Sequence, residues 1–198
     1  MKHIKLILIS LFITIVSYAQ TPIIDIEEYS FRNSIENAYY KDINNYFNPF
    51  MGTWLYTSDD GLTTFKIVLT KRTMLYTGKY YTDYVTGEYH YSNSFLDINT
   101  LSNTSINSHG IYGDGLVNSH NRPYCPDCIP GNKRLSLSLA DRDRVIIEDL
   151  TLRLITVNGQ PALSALIYGG GVSTYDEENP PPYFESRIPV GTFVFIKQ

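Results

Sequence analysis

The stretch DLTLRLITV, then Asn158-Gly159, then QPALSALIY (residues 149–168) most constrains how this chain can fold. Leu150, Leu152 and Leu154 alternate with polar residues, the period of a strand with one buried face. Asn and Gly both accept positive φ, which a two-residue type I′ turn demands at its central positions. The segment reads as a β-hairpin. The same pattern recurs upstream, where GTWLYTS is a strand and Asp59-Asp60-Gly61 a hairpin turn. LTTFKIVLTK then sets Phe65, Ile67 and Leu69 on one face against Thr64, Lys66 and Thr70 on the other. DYVTGEYHY, FLDINTL, SHGIYGDG, RLSLSLA and GTFVFIK extend the series, with Gly87 marking a bend or bulge and Gly113-Asp114-Gly115 a turn.

Such a chain has about eight to ten antiparallel strands, nearly all joined to their sequence neighbours. An up-and-down β-barrel accommodates them best, because closure removes the edge strands that a sandwich would leave. The 17 tyrosines, with many Thr, Ile, Val and Phe, support this all-β reading. Ahead of the strands, Ile26, Tyr29, Ile35, Ala38, Tyr39 and Ile43 recur at loosely helical spacing, which predicts a short helical leader over residues 20–48. The barrel domain is expected over 49–198. Two long loops, 114–133 and 169–189, are expected to interrupt it.

MKHIK, the apolar LILISLFITIV and the small residue Ala19 form the three parts of a secretory signal peptide over residues 1–19. The apolar run is too short for a membrane span. Export to a periplasm or beyond the cell is therefore expected. Cleavage there leaves 179 residues, with 14 basic against 20 acidic side chains. A mildly acidic chain without a basic cluster predicts neither a nucleic-acid partner nor an anionic membrane surface.

The segment FNPFMGTWLY places the only tryptophan, Trp54, two residues after Gly52. Together with the meander and the terminal VFIKQ, this resembles the lipocalin-like (calycin) barrels. In those proteins a Gly-x-Trp opens the first strand and a basic residue near the last strand's end packs over the indole. The resemblance implies a structural plug of Gly52, Trp54 and Lys197, with Arg187 as the rival cation. YYKDINNYFNPFMGTW, GEYHY and VFIKQ also resemble a family of small secreted flavobacterial proteins without an assigned activity.

Several constellations bear on chemistry. In RPYCPDCIPG, Pro130 and Gly131 follow the Cys-x-x-Cys too closely for the helix that a redox site uses. Zinc would need further ligands such as His109 and His120. In an exported chain, a local disulfide between Cys125 and Cys128 is the favoured reading, with no metal and no cofactor. Glu88 and His90 share a strand face, so a carboxylate–imidazole pair can form there. Asp114, Asn118 and His120 can cluster with His109. The acidic run Asp176, Glu177, Glu178 reads as a solvated loop rather than a calcium site.

Alternation from Trp54 turns Tyr56, Phe65, Ile67, Tyr89 and Tyr91 inward. This set predicts an aromatic lining for a small apolar or amphipathic ligand, bound without catalysis. The alternative is a rigid barrel that engages a protein partner through its two long loops. An enzyme ranks third and would need His109, His120 and nearby acids to converge in one pocket.

Overall fold

In a computed structural model of the protein, residues 21–103, 109–117, 123–129, 131–172, 178, 180 and 182–198 are described. Eight strands form the barrel: β3 (Gly52–Thr57), β4 (Thr64–Tyr76), β5 (Tyr81–Ser92), β7 (Ile111–Val117), β8 (Arg134–Asp141), β9 (Ile146–Val157), β10 (Gln160–Val172) and β11 (Gly191–Lys197). Each runs antiparallel to its neighbour, and β11 returns to β3 with Ile196 opposite Leu55 and Lys197 opposite Trp54. The result is a closed up-and-down barrel, compatible with a calycin-like fold.

Three short strands lie outside the ring: β1 (Ile23–Asp25), β2 (Tyr39–Lys41) and β6 (Asp97–Asn99). They explain the unusual role of β5. One edge of β5 pairs with β4, while the other is divided among three partners. Tyr81 and Thr82 take β2, Val85 to Gly87 take β7, and His90 to Ser92 take β6. Gly87 sits in regular register opposite Leu69, without a bulge. Its reason is close approach, because a Cβ there would come within 2.7 Å of the Leu69 side chain and the Val68 carbonyl.

The leader differs from its helical expectation. It holds two three-residue 3-10 turns, Ile26–Glu28 and Phe31–Asn33, between β1 and β2. Its apolar residues do not repeat over enough turns to propagate a helix. Instead Ile26, Ala38, Tyr40 and Phe47 are buried in the same core as the barrel residues Trp54, Val85 and Leu135. The leader therefore closes the end of the barrel at which β3 begins, called the lower end below.

The turn expected at Gly113-Asp114-Gly115 lies inside β7, which bulges between Tyr112 and Gly115. Added Cβ atoms at Gly113 and Gly115 would meet Leu137 at 3.1 Å and the Ser136 carbonyl at 2.8 Å, so tight strand packing requires these glycines. The loop expected from residue 114 accordingly begins after Val117. Likewise, Gly169–Val172 belong to β10 beyond a bulge, which shortens the second loop. Asn158 and Gly159 have φ of 50° and 79° and join β9 to β10 as a two-residue turn.

Candidate functional site: the upper mouth

Alternation along the strands turns Trp54, Phe65, Ile67, Tyr89 and Tyr91 inward, all buried, with Tyr56 half-buried beside them. These side chains pack on one another. The Phe65 ring lies 5.4 Å from Tyr91, 6.0 Å from Tyr89 and 5.2 Å from Phe195, while Tyr56 stacks edge-on against Phe193 at 5.1 Å. Edge-to-face aromatic contacts at these distances fill the space that a ligand would occupy. At the lower end the Trp54 indole donates to the Phe50 carbonyl at 2.8 Å, and the Lys197 ammonium sits 5.1 Å above its ring. Gly52 lies beside that lysine, with φ of 113°. Arg187 is engaged at the opposite end.

The upper end holds a cavity of about 280 Å³, lined by Tyr89, the β6 segment, Ser102, Asn103, Arg142, Asp143 and Arg187. Topology brings these together: β5 and β8 both rise to this end, so the 93–110 connection and the 142–145 turn meet over it. Arg187 makes the frame. It donates through Nε to Asp141 Oδ2 at 2.9 Å and through Nη2 to Asp143 at 2.7 Å. Burial alone would raise the Asp141 carboxyl, but the Arg187 hydrogen bonds and charge outweigh it and hold the group below the usual carboxylate range. Those same bonds to Asp141 raise the Arg187 guanidinium.

Behind the frame lies a second polar group. Glu88 Oε1 accepts from Asn103 Nδ2 and contacts His109 Nδ1, both at 2.9 Å, and its Oε2 accepts weakly from the Gly110 amide. Arg142 Nη2 approaches the same carboxylate at 3.7 Å, beyond hydrogen-bond reach. Among the described residues, Arg142 Nε and Nη2 and His109 Nε2 are buried without a hydrogen-bond partner. Sequence reading missed this group because its members stand far apart in the chain. It also paired Glu88 with the wrong imidazole: His90 faces Asp97 at 2.7 Å instead. Two residues on one strand face are separated by two rises, whereas the splayed chain at His109 comes directly to Glu88. Tyr89 is held by donation to the Ala140 carbonyl at 2.8 Å, and burial pushes its phenol well above the ordinary range.

The remaining expectations separate. Cys125 and Cys128 form a disulfide. Asp114 accepts from Thr82 Oγ1 at 3.3 Å rather than joining His109. Asn118, His120, Asp176 and Glu177 lie outside the described residues, as does the expected signal peptide. Among the described residues no three His, Cys, Asp or Glu side chains stand together as a metal site. None of the described helices is long and apolar enough to cross a membrane.

No curated protein and no solved structure matches the chain. A family model matches it along residues 1–198, and the protein therefore belongs to DUF6705, a family of unknown function.

Proposed function

We propose that the protein is a calycin-like binding protein, exported and without a catalytic step, that takes a small amphipathic ligand at its upper mouth. The observation that carries this reading is the cavity over Tyr89, where Asn99, Ser102, Asn103 and Arg142 converge. Its volume of about 280 Å³ is at the lower edge of small-molecule sites, which span roughly 300–1,000 Å³. The polar rim suits a hydroxylated or anionic head group, and Tyr89 and Ile98 offer apolar contact. Of the five inward residues, Tyr89 reaches this cavity, while Phe65 and Tyr91 are taken up by aromatic neighbours. The Glu88–His109 pair argues against acid–base chemistry, because the imidazole's other nitrogen is itself buried. Export is supported by the Cys125–Cys128 disulfide, a bond that persists in oxidising compartments.

Native mass spectrometry of protein from its own host tests the reading. Wild type should retain a small molecule that Arg142→Ala loses. Retention unaffected by Arg142→Ala but abolished by Phe65→Leu would move the site into the barrel.

A second reading, a scaffold for a protein partner, rests on the loop tips at the same end. Phe95 is 98 % exposed on the β5–β6 turn, and Leu62, Phe184 and Val190 are each 63 % exposed on neighbouring connections. Loops 118–133 and 173–190 lie at opposite ends of the barrel, so only the second would share that surface. Capture of a partner that survives Phe95→Ser together with Phe184→Ser would count against it.

A further inference from the structure

At the lower end, a second cleft of about 330 Å³ lies between the leader and the segment after the disulfide. Its lining includes Asn44, Tyr46, Asn132, Lys133, Arg153 and Leu154. The charges here are unbalanced. Lys133 is ion-paired with Glu27, which also accepts from the Tyr46 hydroxyl at 2.7 Å. Arg153 has no hydrogen bond or ion pair among the described residues.

The residue directly opposite Arg153 on β8 is Arg134. Arg134 is almost fully buried and donates to the Pro123 carbonyl at 3.0 Å. Burial and, next, the Arg153 charge lower its affinity for its proton. Like charges directly opposite across a strand pair are destabilising, because their Cβ atoms are only about 5 Å apart. Glu27 already serves Lys133, and in the segment from Asn118 to Lys133 the only acid is Asp127.

We infer that this cleft is an oxyanion site, in which Arg153 is the charged contact and Asn132 and Asn44 supply neutral donors. The guanidinium fork matches the paired oxygens of a phosphate, sulfate or carboxylate group. A bound oxyanion offsets the Arg134–Arg153 repulsion, so ligand binding and lower-end stability are linked. The site is separate from the upper mouth and does not depend on the ligand proposed there.

Thermal unfolding with inorganic phosphate, sulfate or acetate, each against chloride at equal ionic strength, tests the inference. At least one oxyanion should raise the melting temperature saturably and shift the Asn132 amide resonance, and the ranking of the three identifies the preferred group. Arg153→Gln should abolish both effects, and Arg153→Lys should retain part of them. Without oxyanion, Arg153→Gln should melt no lower than wild type, since it removes a repulsion and no hydrogen bond. Equal responses to all anions, persistence of the effect in Arg153→Gln, or a lower melting point for that variant alone would overturn the proposal.

Discussion

Lys197 and Trp54 stand opposite each other on the two strands that close the ring, with the ammonium 5.1 Å above the indole. The pair is unequal. Lys197 is exposed, so Lys197→Ala should cost about 0.5–1 kcal/mol, the range for a solvated cation over a ring. Trp54 is fully buried, and Trp54→Ala should cost about 3–5 kcal/mol through loss of packing. Urea unfolding of the two variants measures the difference; equal losses would contradict it.

A buried ionic group fastens the leader to the barrel. Lys71 Nζ lies 2.8 Å from Asp42 and 3.4 Å from Asp83, and Asp42 also accepts from the Tyr46 and Phe47 amides. Lys71→Met should cost about 3–5 kcal/mol by stranding two buried carboxylates. Adding Asp42→Asn should recover part of that loss. Chemical denaturation of the single and double variants decides the matter.

Asp114 carries a different expectation. Burial raises its carboxyl above the ordinary range, since Thr82 supplies only a 3.3 Å hydrogen bond. The sign follows: stability is greatest below the unfolded-state value and falls as pH rises through the folded one. Asp114→Asn should therefore raise the melting temperature at neutral pH, with a benefit that shrinks as the solution is acidified. Melting curves from pH 3 to 8, as a flagged range of about five units around ordinary carboxylate titration, would show it.

Asp141 behaves oppositely. With its carboxyl held low by Arg187, its contribution is present above the ordinary carboxylate range and is lost as pH falls through the folded value. Arg187→Gln should lower stability at neutral pH and weaken the acid dependence. A variant whose loss is the same at acid and neutral pH would show that packing, not charge, explains Arg187.

The barrel was legible in the sequence because its information is local. Asn158-Gly159 announces a turn, and the leucines at 135, 137 and 139 announce a face. Gly113 and Gly115 misled for a physical reason: the same residue serves turns and close strand contacts, and only the neighbour across the sheet distinguishes them. The leader misled because its apolar residues answer to a barrel end rather than to a helix of their own. Little of the mouth was legible. Glu88, Asn103, His109 and Arg142 come from four separate segments, and no spacing rule joins them.

The divided edge of β5 has a mechanical consequence. β9 and β10 are laced from Gln160 nearly to Val172, whereas β5 and β7 meet only from Val85 to Gly87. The ring is thus a broad curled ribbon fastened by a narrow clasp. Parting that clasp would sacrifice few ladder bonds and leave the other seven junctions intact. Compliance in this barrel is concentrated at one seam, and the tyrosines and glycines around it set how firmly the ribbon stays shut.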